Sequence, residues 1–175
     1  MAQAIVAQVL LMPGCPPTSI ITMFFRTALF TFLAVQRVFA SEAQCTYPGG
    51  QCWELRLQRC QGSSVWTLHG LWPEWGNDCS GPRFDVSKVS TIKSPLNEFW
   101  LSCPEFGESN EEFWTHEWEK HGTCSGMSEL AFFEKGLELR KQYASQCSGD
   151  SDCAICFSKD FSTVESCPNS NSMLV

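Results

Sequence analysis

Between Phe113 and Cys124 the chain reads FWTHEWEKHGTC, which sets two of its three histidines beside two glutamates, a lysine and two tryptophans. At about 100° per residue on a helix, His116, Lys120, Glu117 and His121 follow one another across an arc of roughly 140°. Trp114 and Trp118 make an apolar stripe along one edge of that arc, while Thr115 and Glu119 point elsewhere. One edge can therefore anchor in a core and present the next as a row of proton-transfer and cationic groups. Ser109-Asn110-Glu111-Glu112 has the S-x-x-E form of a capping box, and Gly122 supplies a stop. Three readings compete for this face: acid–base catalysis, a charged surface, and a metal site. Zinc peptidases place their ligands one turn apart in H-E-x-x-H. His116 and His121 would be splayed by about 140° on an ideal helix, and Lys120 brings a positive charge to any metal. Acid–base catalysis is the favoured reading, and neither a metal nor another cofactor is expected.

The third histidine, His69, lies in Thr67-Leu68-His69-Gly70-Leu71-Trp72-Pro73, at the expected end of a strand beside a glycine that permits close approach. Alone, a histidine there reads as structural. Taken together, HGLWP and W-x-H-E-W-x-K-H-G closely resemble the two active-site segments of the ribonuclease T2 family, acid ribonucleases of broad base specificity. Their order, their separation and the cysteine-rich setting agree, and the resemblance runs from about Cys52 to Pro168. It implies that His69 and His121 are the catalytic histidines. His116, Glu117 and Lys120 resemble the residues that hold the phosphate and stabilise the charged intermediate, with Glu117 counted in the catalytic set. Trp72 and Phe113 match aromatics of nucleobase pockets, and Glu74 stands where a base-reading polar residue occurs. Cys79 and Cys124 resemble a family disulfide; the other pairings stay open.

Such a set suits RNA, which carries its own nucleophile. A neutral His121 takes the 2′-hydroxyl proton and a protonated His69 gives one to the departing 5′-oxygen. Lys120 and His116 offset charge on the phosphoryl oxygens, and Glu117 orients a neighbouring imidazole and favours its cationic form. The product is a 2′,3′-cyclic phosphate that water can open. RNA is thus the expected partner, and DNA, lacking the 2′-hydroxyl, should survive. An acidic optimum is expected, on the argument that nearby carboxylates raise the histidine pKa values. The alternative is a secreted, disulfide-stapled interaction protein that keeps these segments and no longer cleaves.

These groups must be positioned by the rest of the chain. Residues 1–40 read as an upstream extension and a signal peptide: Arg26 precedes the apolar run from Ala28 to Val35, and Val38-Phe39-Ala40 offers a peptidase its small residue. That run is too short to span a bilayer. Residues 41–175 read as a single domain, monomeric and free of the membrane once the leader is cut. Cys15 leaves with the leader, so ten of the 11 cysteines remain, an even number that reads as disulfides in an exported chain. Arg26 and Arg37 also leave, taking 12 basic residues to 10 against 19 acidic, a net charge of −9. Bulk charge therefore does not draw in nucleic acid; any attraction is local. The destination expected is extracellular, lysosomal or vacuolar.

Cys52 to Gln58 alternates as a half-buried strand, and Val65 to Leu68 makes a second. Asp85 can cap a helix carrying Val86, Val89 and Ile92, which Pro95 should end or kink. Ser128 to Tyr143 forms an amphipathic helix with Leu130, Phe133 and Leu137 on one side, and Cys153 to Phe157 a final strand. The fold expected is α+β: a central antiparallel sheet flanked by helices and stapled by disulfides. Beside the family it resembles, the chain has a short link from Cys60 to Val65 and brings Gln146-Cys147 up against the preceding helix. A C-terminal segment of the family core is therefore expected to be missing.

Overall fold

The computed structural model describes residues 45, 47–165 and 167; the extension and signal peptide read at 1–40 lie outside the described residues. The architecture is α+β. Four antiparallel strands, β1 (Cys52–Gln58), β2 (Thr67–Pro73), β3 (Asp152–Ser158) and β4 (Val164–Glu165), stand in the order β2-β1-β3-β4. Three helices, α1 (Lys93–Phe99), α2 (Asn110–Lys120) and α3 (Glu129–Tyr143), lie between β2 and β3 in the chain.

Alternation along β1 sends Trp53, Leu55 and Leu57 into the core, where all three are buried. They meet Leu68 and Leu71 of β2, Ile155 and Phe157 of β3, and the helix aromatics Trp100, Trp114, Phe132 and Phe133. The opposite side of β1 carries Glu54 and Arg56, and this is the side on which the site forms.

Three expectations are corrected by the structure. Strand β2 does not stop at His69 but runs on through Pro73. Arg56 pairs with Gly70 and Leu57 with Leu68, so His69 is the extra residue of a bulge. A bulge turns a side chain without ending the ladder, which is how a strand can continue through a glycine and still aim an imidazole. Pro95 ends nothing. Val86–Ile92 forms a 3₁₀ turn capped by Asp85, and Pro95 sits in the first turn of the helix that follows, where a missing N–H costs least. The core face of α3 is Phe132, Phe133, Gly136 and Leu139, with Leu130 and Leu137 only partly buried. Gly136 sets that rotation, because a Cβ there would overlap the ring of Trp100.

Five disulfides join the described cysteines: Cys45–Cys52, Cys60–Cys103, Cys79–Cys124, Cys147–Cys153 and Cys156–Cys167. The second and third close loops of 43 and 45 residues. On loop-closure entropy each is worth about 4 kcal/mol, which matters for a short chain with a limited core.

Candidate active site

Helix α2 begins with the capping box: the Ser109 hydroxyl accepts from Glu112 N, and the Glu112 carboxylate accepts from Ser109 N at 2.8 Å. Phe113, Trp114, Glu117 and Trp118 are its buried face. Two indoles carry that anchorage to the first histidine. Trp114 Nε1 donates to the Trp100 carbonyl, and Trp100 Nε1 donates to the His69 carbonyl at 3.0 Å. The far end of α2 is tied to the segment after β2. Asp78 N donates to the Lys120 carbonyl at 2.7 Å, Trp75 Nε1 donates to the Cys124 carbonyl at 3.0 Å, and Cys79 is bonded to Cys124. Sheet and helix are therefore locked together on both sides of the groups that could react.

Those groups share one cavity of about 400 Å³. His69, Trp72 and Glu74 line it from β2 and the turn beyond, His116, Glu117, Lys120 and His121 from α2, and Glu54 and Arg56 from β1. The Trp72 indole joins the two catalytic candidates and Glu117. Its ring is stacked on His121 with centroids 5.1 Å apart, meets His69 edge-on at 5.2 Å, and donates through Nε1 to Glu117 Oε2 at 3.0 Å. Gly70 makes this possible, since a Cβ there would overlap both Trp72 Nε1 and Glu117 Oε2. None of the three imidazoles hydrogen-bonds another described residue. All three line the cavity.

His116 and His121 come together at the end of the helix. His121 is the C-cap of α2, with φ −114° and ψ −48°, and its ring centroid is 6.5 Å from that of His116. Ligand-type atoms of His116, Glu117 and His121 lie within 4.8 Å of one another. The 140° splay argued against a metal thus does not hold at the helix end. Lys120 still adjoins the trio in sequence and would bring its positive charge to any metal held there.

Electrostatics overturn one further expectation. Glu117 is almost fully enclosed, and burial drives its pKa up to about 8 despite the Trp72 hydrogen bond and Lys120. It bonds an indole rather than an imidazole, and in its neutral form it cannot favour a histidine cation. The pKa values of His69 and His121 fall instead of rising, each chiefly through burial. His121 is pushed down to about 3 by burial, then by Lys120, His116 and His69. His69 is lowered by burial and by Arg56, with Asp152 opposing and His116 and Lys120 adding smaller effects. Glu74 and Glu54 are both raised, each chiefly by burial.

The expected nucleobase residues are placed differently from one another. Glu74 is on the cavity wall. Trp72 has His121 on one side and the Arg56 guanidinium carbon 5.6 Å from its ring centroid, so it is built into the floor. Phe113 is buried behind His69, their centroids 5.8 Å apart, and belongs to the core. Glu54 and Arg56 were not singled out from sequence. An alternating strand announces a polar face, but not whether water or a cavity lies over it.

The profile of the ribonuclease T2 family matches residues 35–148. Ribonuclease MC of Momordica charantia is 35% identical over 106 residues, covering 55% of this chain and 54% of its own. Ribonuclease 3 of Arabidopsis thaliana is 38% identical over 112 residues, covering 58% and 46%. The chain spans about half the length of these curated relatives. A crystal structure of a bitter gourd ribonuclease MC1 point mutant in complex with 5′-UMP superposes with a TM-score of 0.53 at 25% identity, over 65% of this chain and 90% of that one. With its fold, its paired histidine segments and well over half its length inside that profile, the chain belongs to the ribonuclease T2 family.

Proposed function

We propose that this protein is an endoribonuclease that cleaves single-stranded RNA by transesterification through a 2′,3′-cyclic phosphate, without a metal. The observation that carries this reading is that His69 and His121, from a strand bulge and a helix end, face one cavity with Lys120 and His116 beside them. His121, neutral above about pH 3, takes the 2′-hydroxyl proton. His69 keeps its proton only on the acid side of the ordinary histidine range and delivers it to the leaving 5′-oxygen. Lys120 and His116 hold the phosphoryl oxygens, and neutral Glu117 fixes Trp72 against His121. Glu74 supports base recognition from the cavity wall. A neighbour crystallised with 5′-UMP suits a nucleotide in a cavity of this size. The five disulfides suit an oxidising compartment, outside the cell or in a lysosome or vacuole.

A zymogram with RNA, run at acidic pH on wild type and His121→Ala, tests the reading. Cleavage by wild type and a loss of about 10²-fold or more in the variant are expected, the contribution of a positioned general base. The second reading is a secreted, disulfide-stapled interaction protein that keeps the family's segments and no longer cleaves, a role the five disulfides also suit. A folded wild type with no activity would overturn the ribonuclease reading in its favour.

A further inference from the structure

Arg56 stands mid-strand on β1, opposite Gly70, so no β2 side chain lies directly across from it on the cavity side. Its guanidinium is held in place: Nε is 3.1 Å from Glu54 Oε1, Nη1 is 3.1 Å from Asp152 Oδ2, and the Trp72 ring lies beside it. Among the described residues nothing engages Nη2. The side chain is 26% exposed and lines the cavity that Lys120 and His116 line from α2. Its carboxylate partners compensate its charge incompletely. Asp152 is 60% exposed and screened by solvent, while burial raises the Glu54 pKa, so Glu54 gives up its charge more readily in acid than an ordinary glutamate.

We propose that Arg56 contacts the phosphodiester from the sheet side of the cavity, opposite Lys120 and His116, so that the anion is gripped by two elements of the fold. The inference rests on the ribonuclease reading and adds to it a group that orients. Lys120 is a point charge on a flexible stem, whereas a clamped guanidinium offers donors in a fixed plane that matches phosphate oxygens. The two carboxylates supply that clamp, and the strand supplies rigidity.

Inorganic phosphate, titrated calorimetrically into the full chain at acidic pH, reads this directly. Arg56→Gln should weaken phosphate binding by about tenfold to a hundredfold, the loss of one charge-assisted contact, and raise KM for RNA. Asp152→Asn, which removes part of the clamp and leaves the cation, should bind phosphate at least as well as wild type. Lys120→Ala is the reference for the helix side. If Arg56→Gln binds phosphate like wild type while Lys120→Ala does not, Arg56 is only a staple between strands; the proposal falls and the ribonuclease reading stands. A wild type that neither binds phosphate nor cleaves RNA removes both. Should Arg56→Gln fail to fold, Arg56→Lys and Asp152→Asn decide. Weakened binding in the first with undiminished binding in the second supports the contact, and any other pattern overturns it.

Discussion

Glu117→Gln isolates the charge state on which the site depends. The carboxyl of Glu117 is 1% exposed and accepts one hydrogen bond, from Trp72 Nε1 at 3.0 Å. Burial moves its pKa from 4.5 to about 8. In the unfolded chain the same group ionises near 4.5, so between these values the unfolded state binds fewer protons than the folded one. Stability contributed by the neutral carboxyl is therefore complete below pH 4.5 and is lost as pH rises toward 8. At about 1.4 kcal/mol per pH unit, the whole interval amounts to roughly 5 kcal/mol, and the part below pH 7 to about 3 kcal/mol. The amide of the variant keeps an acceptor for Trp72 and does not titrate. Urea unfolding of both proteins at intervals from pH 4.5 to 8 gives the difference between their stabilities. That difference should swing in the variant's favour by about 1.4 kcal/mol per unit through this window. Cleavage at pH 5 should fall by less than about tenfold, because a neutral group is being exchanged for a neutral group at the same hydrogen bond. Parallel stability curves for the two proteins would mean that Glu117 is ionised in the fold, and the electrostatic account of the cavity would be refuted.

Three further outcomes follow from the same geometry. With His121 neutral above about 3 and His69 lowered from its ordinary 6.5, the plot of kcat/KM against pH should be a bell centred below 6.5; a maximum at neutral or alkaline pH contradicts the assignment of acid and base. Gly70→Ala should disrupt the site, because the new methyl group overlaps Trp72 Nε1 and Glu117 Oε2. Activity is expected to drop sharply alongside a loss of about 1–3 kcal/mol in stability from overpacking, measured by thermal melt. Extended dialysis against EDTA should leave cleavage intact. A loss restored by added zinc would assign the His116–Glu117–His121 trio to a metal.

Several features were legible in the residues themselves because their causes are local. The Ser109–Glu112 box, the extent of α2 and the alternation of β1 follow from hydrogen-bonding capacity and from periods of 3.6 and 2. The two histidine segments were likewise visible, and with them the family. Elsewhere the deciding atoms are distant in sequence. β2 outran its expected end because a bulge absorbs His69, and a bulge is set by the register of the partner strand. The face of α3 was turned because the glycine that counts as no hydrophobe is where Trp100 packs.

What the sequence determined alone was the inventory: which residues can donate, accept or move a proton, and on which elements they stand. What only the tertiary structure decided was their state. Glu117 is neutral because sheet and helix exclude water from it, and His69 and His121 lose basicity for the same reason, with Arg56 adding its effect at His69 from the neighbouring strand. Residue type fixes a reference pKa, whereas burial and charges brought near by folding fix the working one.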